Sequence, residues 1–414
     1  MRIAIIGAGI SGLVSAHLLF PEHDIVVYES KDYIGGHTHT IDIDAEGNTY
    51  PVDTGFIVFN EKTYPNFIKL LKQLGVSWQP SEMSFSVRCD KTGLEYSPTS
   101  LNSLFAQRRN LLRPKFLRML LEIFRFRRAS EKLILSQNDD ITLREYLHNN
   151  GYSRSFREHF IIPIGSAIWS ADPDQFENFP ARYFTAFFQN HGFLQLRDKP
   201  PWRVIQGGSR QYVEKIIVPF KERIRVNTPV QSISRSQNHV EVKDASGGVE
   251  RFDHCIIAAH SDQALAMLSD ATASEKAILG EIPYQKNRTV LHRDASLLPR
   301  HRSCWASWNS HIPDSSHQGA TLTYNMNILQ SLQAADPFCV TLNPTQLIHP
   351  DLILKDLIYH HPVYTPQGLA ARKRFHEING KNRTHFCGAY WGYGFHEDGV
   401  KSALAVCKTF GRSL

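Results

Sequence analysis

The chain has 414 residues, 42% of them hydrophobic, and a formal net charge of +6. That length and apolar content support two or three domains, and so mild a basic excess does not call for a nucleic-acid partner. The six cysteines are irregularly spaced with no CxxC, which fits reduced thiols in a cytoplasmic protein rather than a disulfide framework, and no window offers the ~20 apolar residues of a spanning helix.

The first twenty residues, MRIAIIGAGISGLVSAHLLF, could be read as a signal peptide. Their order favours another reading. Arg2 to Ile6 form an apolar run that predicts a buried parallel strand. Gly7-Ala8-Gly9-Ile10-Ser11-Gly12 follows, Leu13 to Phe20 continue as a helix, and Asp24 to Tyr28 form a second strand ending at Glu29. This is a βαβ start with G-x-G-x-x-G. Gly7 allows the tight turn, Gly9 lets a pyrophosphate approach the backbone, and Gly12 lets helix pack on strand. The diphosphate would sit at the helix N-terminus, beside Ile10 and Ser11. Glu29 would accept hydrogen bonds from an adenosine ribose and repel a 2′-phosphate, which argues against NADP.

Ser30 leads to Gly35-Gly36-His37-Thr38. This glycine pair brings a second piece of backbone to the phosphates or ribityl chain, which an NAD site does not need. A hairpin is predicted from Thr40–Ile43 and Thr49–Val52, turning at Glu46-Gly47-Asn48, and Asp53-Thr54-Gly55-Phe56 comes next. Residues 105–132 are the most basic stretch. Nine Lys and Arg, Arg125, Arg127 and Arg128 among them, face only Glu122 and Glu131, with leucines and phenylalanines interleaved. Two readings stand: an amphipathic helix lying on anionic lipid, or a helix with a solvated basic face.

Val204 to Ser209 precede a predicted helix, Arg210 to Phe220. Strands are predicted at Ile224–Asn227, Val230–Ser234, His239–Lys243 and Phe252–Ala259. Near the end, CGAYWGYGFHEDGVKSAL packs aromatics against His396, Glu397 and Asp398. Thr384 to Cys387 read as a strand entering Gly388, and Gly399 to Thr409 as a helix with Asp398 at its N-cap. His37 and His39, His360 and His361, and His396 with Glu397 invite a metal reading. Adjacent ligands in one short loop rarely converge on one ion, and no HExxH exists, so no metal is expected. No GxSxG supports a serine hydrolase.

GAGISGL, then E-x5-GGH, then the DTG run resemble the FAD-binding elements of the flavin amine oxidase and phytoene desaturase superfamily. The resemblance implies an α/β fold: a Rossmann-like FAD-binding domain of the GR2-type flavoproteins, built from 1–60, 203–272 and 385–414. A discontinuous α+β substrate-binding domain would take 61–202 and 273–384. It places Thr54, Gly55 and Phe56 beside the isoalloxazine and Val230 at the adenine end, although a core valine explains Val230 equally well. It also implies that Gly388 and Tyr390 wall the flavin site and that the amides of Gly399 and Val400 face the flavin N1/O2 edge. Runs such as Trp305–Asn309, Thr323–Asn327 and Val340–Pro344 are similar to those of a bacterial flavoprotein group encoded near cyclopropane-fatty-acid-synthase-like enzymes. That setting hints at a fatty-acyl or phospholipid substrate.

The chain also departs from amine oxidases. Tyr364 falls where they keep one wall of an aromatic cage, and His396 near the second, where an imidazole could donate, accept or titrate. These two are the catalytic candidates. Val363 stands where a covalently flavinylated member has cysteine, so FAD is expected to be non-covalent. The lysine that holds water at flavin N5 aligns nearer Thr289 or Val290 than Lys286, which favours desaturase-like or isomerase-like chemistry. The expected function is hydride transfer to FAD from an apolar small-molecule or lipid substrate, with the electron acceptor left open. The alternatives are an amine oxidase, or a protein holding FAD as a structural element without turnover. Peripheral membrane contact through 105–132 is the accompanying expectation for localisation.

Overall fold

The computed structural model describes residues 1–136, 141–169, 176–192, 200–314, 320–343 and 345–414. Pro344, the last residue of the Val340–Pro344 run, lies outside them.

A five-stranded parallel sheet takes its strands in the order Ile224–Arg225, Asp24–Tyr28, Arg2–Ile6, His254–Ile257 and Thr384–Phe386. Its strands alternate between two buried faces, as a period of two requires. Ile3, Ile5, Ile25 and Val27 pack on one side with the helices Ile10–Leu19 and His396–Lys408. Ala4, Ile6, Val26 and Tyr28 pack on the other against an antiparallel sheet of Val230–Arg235, Val240–Asp244 and Val249–Phe252. The run Phe252–Ala259, expected as one strand, is broken at Asp253, which accepts from the Arg2 amide at 2.7 Å. The helix expected over Arg210–Phe220 is α-helical only over Arg210–Ile216 and tightens into a 3-10 turn from Val218.

The hairpin closes more tightly than the sequence suggests. Thr40–Ala45 pairs with Asn48–Asp53, leaving Glu46 and Gly47 as a two-residue turn with φ of 54° and 74°. Both central residues are left-handed, the conformation that matches strand twist in short hairpins. Beyond it, the helix Pro65–Gln73 buries Phe67, Leu70 and Leu71 in the core beneath the parallel sheet. That core therefore takes residues past 60, where the second domain was expected to begin.

The second half of the molecule is a seven-stranded sheet running from Ile353–Pro362 through Tyr284–His292 to Phe85–Cys89 and Leu94–Tyr96. It packs on helices that include Pro114–Leu135 and Ala181–Asn190 in one aromatic-rich core. The basic stretch is interrupted at Arg113. A 3-10 turn, Arg108–Leu112, precedes the long helix, whose first position is Pro114, where a missing N–H costs nothing. Among the described residues no helix is long and apolar enough to cross a membrane.

Candidate functional site

One cavity of about 870 Å3 runs between the two halves, within the size range of ligand sites. Its polar end is built on the first helix. Gly9 precedes Ile10 with no side-chain cap, and that helix has no acid in its first turn. Gly9 forms a parallel bridge with Gly35, and the amides of Ser11 and Gly12 have no hydrogen-bond partner among the described residues. A Cβ on Gly9 would meet nothing within 4 Å, whereas one on Gly12 would strike the Gly7 carbonyl oxygen at 1.9 Å. Gly9 faces open space and Gly12 is a packing contact. An uncapped N-terminus facing open space suits an anion such as a diphosphate. Gly7, Gly9, Ile10 and Ser11 line the cavity, as do Gly35 and Gly36; Gly12 does not.

Glu29 and Ser30 line the same end. The buried Glu29 carboxylate accepts from the amides of Ala8 and Lys31, both at 2.9 Å. It thereby ties the glycine loop to the end of the second strand. Val230 lines the cavity beyond it, with Met267 nearby. His37, Gly55 and Phe56 continue the wall. The Phe56 amide donates to the His37 carbonyl at 2.8 Å, pinning the two segments together. Thr54 stays behind this wall: its hydroxyl donates to the His39 carbonyl and lies 2.8 Å from the Tyr359 hydroxyl.

The aspartate of the DTG run has a role that sequence reading missed. Asp53 is fully buried, and its carboxylate accepts from the Thr40 hydroxyl at 2.6 Å and from the Ser209 amide and hydroxyl at 2.9 and 2.7 Å. It clamps the hairpin onto the Gly207-Gly208-Ser209 turn. Burial pushes its carboxyl up to about 6 in spite of these donors.

At the C-terminal segment three expectations change. The helix begins at His396 rather than Gly399. Asp398 is therefore the third helical residue, not the N-cap, and its carboxylate reaches back to the amides of Tyr393 and Phe395 at 3.0 and 3.1 Å. The Gly399 amide donates to the Phe395 carbonyl at 3.1 Å, so it is spent inside the helix. Gly399 packs on Ile10 and Ser11 of the first helix, and Val400 is buried in the core. Neither lines the cavity. The amides left without partners among the described residues are those of His396 and Glu397. The Glu397 carboxylate is engaged elsewhere, accepting from the amides of Asn66 and Phe67 at 3.2 and 2.9 Å and so capping the helix Pro65–Gln73.

His396 and Tyr364 both line the cavity. The His396 ring stacks on Phe56 at 3.5 Å between centroids. Its Nε2 lies 2.9 Å from the Thr38 hydroxyl and 3.1 Å from the Tyr212 hydroxyl, and those two hydroxyls are 2.6 Å apart. Burial, with His37 nearby, holds its pKa well below the ordinary value. The ring is uncharged at neutral pH and is held by protein partners; Thr38 pairs with it and does not line the cavity. Tyr364, expected as one wall of an aromatic cage, belongs to a larger aromatic end, of which Trp169, Tyr183 and Tyr393 were not foreseen. Its ring stacks on Tyr183 at 5.1 Å under the Arg372 guanidinium at 4.1 Å, and Tyr183 stacks in turn on Tyr393 at 4.4 Å. Trp169, Phe395, Tyr390 and Gly388 complete that end.

Between the two ends stands a wall of histidines. His37 lies 5.8 Å from His260 and 5.4 Å from His361 between ring centroids. Burial first, then mutual repulsion, pushes His37 and His361 down to about 3 and His260 to about 4. At neutral pH these rings are uncharged. Lys286 is exposed on its strand, Thr289 and Val290 are fully buried, and none of the three lines the cavity. Among the described residues no group of three or more potential ligands could hold a metal ion.

Comparison with known proteins agrees with this geometry. The chain is 23% identical over 267 residues to a probable zeta-carotene desaturase of Synechococcus elongatus, covering 60% of this chain and 53% of that protein. It is 36% identical over 91 residues to the 15-cis-phytoene desaturase of the same organism, covering 21% of this chain and 18% of that one. The chain thus spans about half the length, or less, of these curated relatives. Among solved structures, the CLA-producing fatty acid isomerase from P. acnes superposes with a TM-score of 0.70 at 16% identity, over 99% of this chain and 98% of that one. Cyclohexylamine oxidase from Brevibacterium oxydans gives 0.70 at 17%, over 99% of each. Both show a shared fold. Residues 10–285 match the model of the flavin containing amine oxidoreductases, and the chain belongs to that family.

Proposed function

We propose that the protein is an FAD-dependent oxidoreductase that binds FAD without a covalent link and oxidises or desaturates an apolar substrate, a modified fatty-acyl chain being the best fit. In this reading the parallel sheet and its crossovers form a Rossmann-like, GR2-type cofactor domain, and the seven-stranded sheet with its helices forms the substrate domain. Residues 1–60, 203–272 and 385–414, extended to include the helix Pro65–Gln73, make up the first. The open amides of Ser11 and Gly12 at the start of the first helix would hold the diphosphate, Glu29 the ribose, and Val230 the adenine. Gly55, Phe56 and Gly388 would flank the ring system. The amides of His396 and Glu397 would face its electron-rich edge, where a helix N-terminus favours negative charge by roughly 0.3–1 kcal/mol. Bound flavin supplies hydride acceptance; the protein supplies position and exclusion of water.

The observation that carries the substrate class is the chemistry of the aromatic end. Trp169, Tyr364, Tyr393 and Phe395 line it, and no carboxylate joins them among the described lining residues. An ammonium substrate would find ring faces there but no anion, and the Arg372 guanidinium already occupies a face of Tyr364, whereas an acyl chain gains by burial. The cavity's lack of Lys286 favours desaturase-like or isomerase-like chemistry over reoxidation by O2 at a lysine-held water. The name of the P. acnes isomerase, a fatty acid enzyme of the same fold, supports the same class.

The test is anaerobic bleaching of the purified yellow protein. Acyl lipids are expected to reduce the flavin absorbance and simple amines to leave it unchanged. Bleaching by amines alone would establish the amine oxidase reading. A protein that takes up no flavin would overturn both.

A further inference from the structure

The long helix Pro114–Leu135 has two unlike faces. Phe116, Met119, Phe126 and Leu133 are buried against the helical core. On the outer face, one turn after another, lie Leu117, Leu121 and Phe124, exposed by 39, 70 and 48%, and Leu112 just before the helix is 86% exposed. Thirteen large hydrophobic side chains are exposed among the described residues, and seven fall between 101 and 135. Such clustering marks an interaction face rather than scattered exposure.

Charge identifies the partner. Residues 101–136 contain nine Lys and Arg and two Glu, a net +7, so the rest of the chain, with +6 overall, nets −1. Glu122 is buried, accepting from Arg118 and the Ser153 amide at 3.1 Å. That leaves Glu131 as the only acid on the helix's outer face among the described residues. Lys115, Arg128 and Lys132 have no ion-pair partner among the described residues. Arg125, by contrast, is committed, donating to the Asn150 carbonyl and lying over the Tyr152 ring.

We infer that this face docks on an anionic lipid surface. Leucines and Phe124 enter the headgroup boundary while the basic side chains around them meet lipid phosphates. A second copy of the chain would set two faces of +7 against each other. The position also suits a lipid-handling protein. Phe126 of this helix packs 6.3 Å from Phe184 on the helix Ala181–Asn190, whose other side presents Tyr183 and Phe187 to the aromatic end of the cavity. The docking stands apart from the proposed reaction, because its test needs no turnover.

The test is co-flotation of the flavin-loaded protein with phosphatidylcholine vesicles, plain or containing phosphatidylglycerol as a minority lipid. Wild type is expected to float only with the anionic vesicles. The K115E/R128E/K132E variant removes three basic charges and adds three acidic ones, and should lose on the order of a hundredfold or more in partition, at about fivefold for each basic charge removed. L117S/L121S/F124S should also release, and both variants should melt with wild type because every altered side chain is exposed. Equal flotation with neutral vesicles, or undiminished binding of the charge-reversed protein, overturns the proposal. So does a dimer in sedimentation that dissociates in the L117S/L121S/F124S variant, which would assign the face to a second copy.

Discussion

Two helices pack side by side beneath the parallel sheet and present their N-termini to the same cavity, yet their first turns are built in opposite ways. Ile10–Leu19 starts from an uncapped glycine with no acid and leaves its first amides open. His396–Lys408 begins with His396, Glu397 and Asp398 and uses both acids within the protein, one on the preceding loop and one on a neighbouring helix. The first is an anion site in waiting. The second is mainly a scaffold that holds the aromatic loop and Phe56 in place and offers two amides. An acid near a helix start therefore does not by itself mark a ligand site; what decides is whether the amides beneath it are already taken.

The largest effect should come from making the first helix resemble the second. In Gly9→Asp the new side chain has room, since a Cβ there meets nothing within 4 Å. Its carboxylate would cap the helix and repel a diphosphate. Flavin affinity should fall on the order of a hundredfold or more, with melting of the apo-protein unchanged or raised. Tight flavin binding by this variant would break the contrast.

Acidification comes next, because only the C-terminal helix carries a histidine at its start. The folded pKa values of His37, His260, His361 and His396 are depressed below 6.5. Their contribution to stability is complete above that value. It is lost as pH falls, since the unfolded chain takes up protons that the folded chain refuses. The slope is at most about 1.4 kcal/mol per pH unit for each histidine. Asp53 and Asp398, both raised to about 6, act in the opposite sense, stabilising most below about 4 and losing that contribution as pH rises through 6. The histidines outnumber them. The melting temperature should therefore drop between neutral pH and about pH 5, and a flat profile would contradict the buried neutral wall.

Glu397→Ala removes the cap from the helix Pro65–Gln73 and should cost about 1–3 kcal/mol in denaturant unfolding, with flavin affinity changed far less than in Gly9→Asp. The smallest effect belongs to His396→Phe. Stacking on Phe56 is kept, and the Thr38 and Tyr212 hydroxyls, 2.6 Å apart, still pair. A loss of about 1 kcal/mol is expected, and the pH profile of flavin reduction should not lose a limb. Loss of one would assign a proton-transfer role to His396.

The glycine loop, its strands and the second glycine pair were legible in sequence because their signals are local: periodicity, turn chemistry and an acid at a strand end. The start of the C-terminal helix was not. Gly399 reads as a boundary because glycine is a poor helix former, but it sits inside the helix to let Ile10 and Ser11 pack against it. Asp53 gave no sign of its clamp because Ser209 is 156 residues away. Tyr364 is legible as a cage wall, but its partners Trp169, Tyr183 and Tyr393 escaped notice for the same reason, since each looks like an ordinary core residue until four segments converge.

The hydroxyl–imidazole knot of Thr38, Tyr212 and His396 has a consequence for how the molecule is made. Thr38 and His396 are separated by 358 residues, and the edge strand Thr384–Phe386 joins the sheet only against His254–Ile257. Pairings of such long range are the slow ones in folding. On the ribosome, a chain stalled before residue 396 would carry the open helix of the first segment but no closing wall for it. Flavin captured at that stage would dissociate easily, so cofactor retention should report that synthesis has passed the C-terminal helix.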